Sequence, residues 1–179
     1  MREIETRRLI IRNWKLNDYL DIYELNSDEK VNLSAGYLVI KDMEKVKNIL
    51  NSLINSNLSF AIELKNENKV IGTIGMDEII PDKSFENLNQ RYIGYRLNSN
   101  YWGKGYATEA TKHFIKYLFE ELHLDLIWSS HFDFNDKSKN VLNKCGFNYK
   151  FSKSKSVKAL DNRVVTELFY NIHKEEYYK

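Results

Sequence analysis

The chain has one cysteine, Cys145, one proline, Pro81, and seven glycines in 179 residues. A single cysteine excludes an internal disulfide. Scarce proline and glycine argue against a disordered linker or a second domain, and the length suits one domain with a sizeable core. No apolar run approaches the roughly 20 residues of a membrane helix. Residues 1–6 lack the apolar stretch of a secretory signal. Neither charge sign dominates: 27 Lys and Arg are interleaved with 25 Asp and Glu, for a formal net charge of +2. That balance gives no reason to expect nucleic acid as a partner. His113, His123 and His173 show no metal-ligand spacing, so no metal is expected. With a mean hydropathy of −0.56, the expectation is a cytoplasmic globular protein without a membrane partner.

What is present centres on residues 93–110. Residues 93–97 are apolar and aromatic and predict a strand; the polar residues 98–100 break it. Gly103-Lys104-Gly105 then leads into Ala107, Ala110, Phe114, Leu118 and Leu122, whose steps of three and four place them on one helix face. A strand, a glycine turn and a helix start make an anion site. The first-turn N–H groups point outward, the helix dipole favours negative charge, and glycine lets a phosphate approach the backbone.

The rest of the chain reads as alternating elements. Residues 9–12 predict a strand, and Asn17 or Asp18 caps a helix carrying Leu20, Ile22, Tyr23 and Leu25. Residues 27–37 have no clear period and read as loop or broken helix. Asp42 caps a helix with Val46, Ile49, Leu50, Leu53 and Ile54 on one face. Strands follow at 60–64, 70–80 and 92–97, with a turn at 66–69 and a polar loop at 81–89. After the glycine-led helix come a strand at 126–132, a short helix at 135–145 closed by Gly146, and strands at 148–157 and 164–171 around a turn at 160–163. This order predicts an α/β domain with one mixed, mostly antiparallel sheet. The strands flanking the glycine-led helix must run parallel, because a helix crosses between them.

Trp102-Gly103-Lys104-Gly105-Tyr106-Ala107-Thr108-Glu109-Ala110, together with residues 135–147 ending in Lys144-Cys145-Gly146-Phe147, resembles the GCN5-related N-acetyltransferase (GNAT) family. The opening Thr6-Arg7-Arg8-Leu9-Ile10-Ile11-Arg12, with Gly72-Thr73-Ile74-Gly75 and Ile93-Gly94-Tyr95, is similar to its RimJ/RimL-like branch of ribosomal-protein N-terminal acetyltransferases. The resemblance covers almost the whole chain, residues 1–179 as one domain. It implies a sheet splayed at its centre and flanked by helices, with acetyl-coenzyme A bound at the splay. It also implies transfer of the acetyl group to a primary amine, either a protein N-terminus or a small molecule.

By the same resemblance Gly103, Lys104, Gly105, Ala107 and Thr108 hold the pyrophosphate, and Tyr106 among them binds the cofactor, with Trp102 where the family usually has Gln or Arg. Tyr95, Arg96 and Leu97 pair through their backbone with the pantetheine arm, as an added strand would. The Leu97 N–H is the candidate oxyanion donor. Asn135 meets the pantetheine, caps its helix, or does both. The tyrosine that many members use as general acid is replaced by Leu142; Ser138 is the candidate substitute, or a small residue packed close to the cofactor. For the general base, the branch's acidic position is occupied by Tyr92. Asp77 and Glu78 are alternatives that also read as solvated strand-end charges, and His131 reads as structural. Trp14, Tyr37 and Phe85 are candidate pocket aromatics; Cys145 reads as core; residues 177–179 read as a frayed tail. The resemblance leaves the oligomeric state open, with a homodimer as one option.

Three other readings compete. A coenzyme A-binding module without chemistry is motivated by Leu142 and Tyr92. A dinucleotide-binding domain lacks the third glycine and the early position in the chain. A nucleic-acid binder is disfavoured by the charge balance.

Overall fold

In the computed structural model, which describes residues 2–178, eight strands form one mixed sheet. The strands are β1 (Ile4–Glu5), β2 (Leu9–Arg12), β3 (Ser59–Leu64), β4 (Lys69–Asp77), β5 (Gln90–Leu97), β6 (Leu126–Phe132), β7 (Asn148–Val157) and β8 (Arg163–His173). Their order is β1-β2-β3-β4-β5-β6-β8-β7. Among the described residues only β5 and β6 run parallel, and α4 (Tyr106–Glu120) crosses between them as the topology demands.

Helices cover both faces. On one side α1 (Tyr19–Ser27), α2 (Glu29–Ala35) and α3 (Met43–Asn55) pack Ile22, Leu25, Val31, Val46 and Leu50 against Trp14, Ala61 and Val70. On the other, α4 buries Ala110, Phe114, Ile115, Leu118 and Phe119 against Leu9, Ile11, Phe60, Ile62 and Ile74. α5 (Asp136–Lys144) adds Leu142 beside Cys145 and Phe147 to the same core.

Local chemistry explains several boundaries. Asp42 accepts from the Glu44 and Lys45 N–H groups and starts α3 as expected. Asp18 precedes α1 but does not cap it: its carboxylate accepts from the Lys15 N–H and holds Arg12 in two hydrogen bonds of 2.8 Å. Residues 29–35 form a true helix, capped by Asp28 and closed by Gly36 in the left-handed region at φ 76°. Its seven residues, about two turns, carry too few apolar positions to show a period. The strand expected over 70–80 ends at Asp77, and residues 78–80 leave the ladder. A two-residue strand, β1, pairs with β2 unforeseen.

The expected frayed tail is corrected in part. Tyr177 belongs to α6 (Lys174–Tyr177) and packs its ring 5.2 Å from that of Phe119. Tyr178 is exposed, and Lys179 lies outside the described residues.

β5 and β6 pair only over Gln90–Tyr92 and Leu126–Trp128. Beyond Tyr92 they part. There the Ser129 hydroxyl donates to the Ile93 carbonyl at 3.0 Å, in place of a ladder bond. Beyond Ile93 the β6-facing edge of β5 is open.

Candidate active site

Two cavities open along the parted strands. One, of about 310 Å³, is lined by Tyr95, Arg96 and Leu97 of β5, the glycine turn, the start of α4 and one face of α5. The other, of about 500 Å³, is lined by Tyr92 and Gly94 of β5, residues 129–132 of β6, Glu167 and Phe169 of β8, and Tyr37. They share Ala35, Tyr95, Asn135 and Ser138, so they meet at the start of α5.

The glycine turn is built as an open cradle. Gly103 and Gly105 have φ of 77° and 81°, which favours glycine. A Cβ at Gly103 would meet nothing within 4 Å, so the turn faces free space. Gly105 caps α4 without a side chain, leaving the first-turn N–H groups available. Lys137 and Lys144, seven residues apart on α5 and thus on one face, line the same groove. Main-chain donors at a helix start, two cations and an uncrowded glycine fit a pyrophosphate.

The opening segment of the chain clamps this turn. Glu109 accepts from the Thr6 hydroxyl at 2.6 Å, the Arg8 N–H at 2.8 Å and Arg8 Nε at 2.7 Å. Arg8 Nη1 donates to the Lys104 carbonyl at 3.0 Å, and its guanidinium lies 4.3 Å from the centre of the Tyr106 ring. Burial alone would raise the Glu109 pKa; the Thr6 and Arg8 hydrogen bonds outweigh it and hold the group below its ordinary value.

The register of β5 separates its three expected contacts. The Asn98 N–H donates to the Ile71 carbonyl, one residue out from the Gly72–Leu97 pair. In an antiparallel ladder this makes Gly72–Leu97 a non-hydrogen-bonded pair and Thr73–Arg96 a hydrogen-bonded one. Tyr95 and Leu97 therefore turn their main-chain groups to the open edge. Arg96 differs from expectation: its main chain is committed to β4. Its side chain donates to Asn32 Oδ1 at 2.7 Å and stacks on Tyr37 at 4.6 Å. The Leu97 carbonyl is taken by Trp102 Nε1 at 2.7 Å, which leaves the Leu97 N–H.

Ser138 sits in the first turn of α5. Its hydroxyl has no hydrogen-bond partner among the described residues, and its carbonyl accepts from the Tyr95 hydroxyl at 3.3 Å. Asn135 caps α5 through its Oδ1 and the Ser138 N–H, and its Nδ2 donates to the Ser34 carbonyl at 3.0 Å. Both ends of its amide are thus used to join α2 to α5 where the cavities meet. Leu142 is fully buried in the core, so no acid stands at that position.

The other candidates divide. Tyr37 and Asp77 line the larger cavity, whereas Glu78 pairs with Arg91 at 3.1 Å. His131 lines it too, but its ring nitrogens meet the Phe132 carbonyl at 2.8 Å and the Tyr170 hydroxyl at 3.1 Å, a structural tie. Trp14 is buried among α1–α3, and Phe85 packs edge-on against Trp128, so neither reaches a cavity. Cys145 is core, and burial pushes its thiol up to about 12. Unforeseen lining residues include Lys137, Lys144 and Glu167. The lysine spacing was readable; Glu167 needed the β6–β8 register.

Residues 8–148 match the family model described as an acetyltransferase (GNAT) domain. The chain belongs to the GNAT acetyltransferase family. YnaD of Bacillus subtilis, an uncharacterized N-acetyltransferase, is 30% identical over 97% of this chain and 98% of its own length. A GNAT acetyltransferase from Bacillus anthracis superposes with a TM-score of 0.85 at 27% identity, covering 97% of this chain and 99% of that one. A ribosomal-protein-S5-alanine acetyltransferase from Vibrio fischeri shares the fold, with a TM-score of 0.77, 23% identity and 98% of each chain covered. This GNAT protein is an N-acetyltransferase dependent on acetyl-coenzyme A. Among the described residues no helix is long and apolar enough to cross a membrane.

Proposed function

We propose that the 310 Å³ groove holds acetyl-coenzyme A, the 500 Å³ cavity holds the acceptor amine, and the acetyl group passes directly between them beside Ser138. The observation that carries this reading is the junction of the two cavities at Ala35, Tyr95, Asn135 and Ser138. The pyrophosphate rests on the main chain of Gly103, Lys104, Gly105, Tyr106, Ala107 and Thr108. The pantetheine arm runs along Tyr95 and Leu97, and Asn135 holds the walls of the junction in place.

The neutral amine attacks the thioester carbonyl with its lone pair. The Leu97 N–H donates to the developing oxyanion. The nitrogen gives up its extra proton to a base, the carbon–sulfur bond breaks, and water, directly or through the Ser138 hydroxyl that it reprotonates, supplies a proton to the departing thiolate. A thiolate is a stable leaving group, so a weak acid suffices.

The acceptor is a primary amine. The likeness to the RimJ/RimL branch favours a protein N-terminus, and a small amine is the other class. Coenzyme A release measured with an alanine-initiated peptide and with spermidine separates them. Turnover of the peptide supports the branch; turnover of spermidine alone moves the protein outside it. A second reading, a coenzyme A-binding module without chemistry, is favoured by the burial of Leu142 at the usual acid position. Binding without turnover of either amine or of water would establish it.

A further inference from the structure

The larger cavity contains a row of hydrogen-bonded side chains crossing three strands. Tyr92 on β5 meets Ser130 on β6, and Ser130 meets Glu167 on β8; all three line the cavity. The direction of the row is set by its end. Glu167 is the acceptor of the Ser130 proton, so Ser130 in turn accepts from the Tyr92 hydroxyl. The tyrosine oxygen then keeps a lone pair for a donor in the cavity. Glu167 Oε2 pairs with Lys155 at 2.9 Å, and Lys155 is half exposed, so the far end of the row reaches solvent.

We propose that Tyr92, Ser130 and Glu167 form a proton relay that deprotonates the acceptor amine, with Glu167 as the terminal base. This deepens the acetyltransferase reading and rests on it. As nitrogen bonds to the acetyl carbon, its proton passes to the Tyr92 oxygen. The Tyr92 proton passes to the Ser130 oxygen, and the Ser130 proton to Glu167 Oε1. The carboxylate gains one proton and releases it to solvent; nothing is oxidised or reduced. Burial, foremost, holds the Tyr92 hydroxyl protonated above the ordinary tyrosine range, with Glu167, Tyr37 and Asp77 adding to the effect against the Ser130 hydrogen bond. A relay needs that proton in place. Tyr92 is thus the catalytic residue that meets the amine; Ser130 and Glu167 act through it.

The alternative is that the row only ties strands together, and the test separates the two. Tyr92→Phe, Ser130→Ala and Glu167→Gln are assayed for coenzyme A release with acetyl-coenzyme A and whichever of spermidine, an alanine-initiated peptide or water the wild type uses. Glutamine at 167 still accepts from Ser130 but cannot take a proton. Each variant is expected to lower kcat by about 100-fold, the scale of one lost base, with KM for acetyl-coenzyme A unchanged. Tyr92→Phe combined with Glu167→Gln is expected to be no slower than either alone, because a relay acts as one unit. An unchanged kcat in Glu167→Gln, or losses that multiply in the double variant, would overturn the relay while leaving the acetyltransferase reading intact. A wild type that binds acetyl-coenzyme A yet turns over none of the three acceptors would overturn both, and that failure shows before any variant is made.

Discussion

On the β2–β3 side of the sheet, Arg12 lies between Asp18 and Glu63, and none of the three lines either cavity. On the β6–β8 side, Glu167 lies between Ser130 and Lys155, and all three line one. Both clusters join strands, and both centre on charge removed from most of the solvent. In the first, burial alone would lower the Arg12 pKa, but the hydrogen bonds to Asp18 and then Glu63 outweigh it and raise the value, so the charge is locked in. In the second, one end opens on a cavity through Tyr92 and the other on solvent through Lys155. A closed cluster stabilises; an open one can exchange a proton with what enters.

The largest expected effect breaks the closed cluster. Asp18→Ala leaves Arg12 buried with half its partners, which should cost about 3–5 kcal/mol in urea unfolding. The rate per folded molecule should stay the same. Glu167→Gln should do the reverse, losing less than about 1 kcal/mol of stability, the scale of a half-exposed pair, while kcat falls. Equal stability losses in the two variants would erase the contrast.

The same contrast explains what could be read from the sequence. The strand, glycine turn and helix around Gly103 and Gly105 were legible because their signals lie within twenty residues. α3 announced itself by Asp42 and a clean apolar face. The Arg12–Asp18–Glu63 and Tyr92–Ser130–Glu167 clusters were not legible. Their members are brought together by strand register, which one sequence does not display. The commitment of the Arg96 main chain to β4 has the same origin. α2 was legible only as loop or broken helix, because its stability comes from Asp28, Gly36 and the buried Asn32, not from a periodic face.

A third prediction concerns the clamp on the glycine turn. The Glu109 pKa is depressed in the folded state, so its contribution is present above the ordinary value of 4.5 and lost as pH falls through the folded value. Glu109→Gln should flatten the loss of thermal stability in acid below about pH 4.5, because the group that must be protonated is gone. An unchanged acid profile would mean the clamp adds no stability. The smallest expected effect is none at all. With its thiol at about 12 and its side chain in the core, Cys145 should not react with a thiol reagent at pH 8 until the protein unfolds. Rapid labelling of the native protein would show that the core beside α5 opens.

The central claim is that the glycine turn and the parted β5 edge bind acetyl-coenzyme A. Thermal-shift titration of the wild type and Gly105→Glu with acetyl-coenzyme A and with free coenzyme A tests it most directly. At a hundred times the dissociation constant either ligand should stabilise the wild type by about 2.7 kcal/mol. A carboxylate in the cradle should weaken or abolish the shift. Equal shifts in both proteins would place the cofactor elsewhere, and no shift in the wild type would contradict the assignment of the groove.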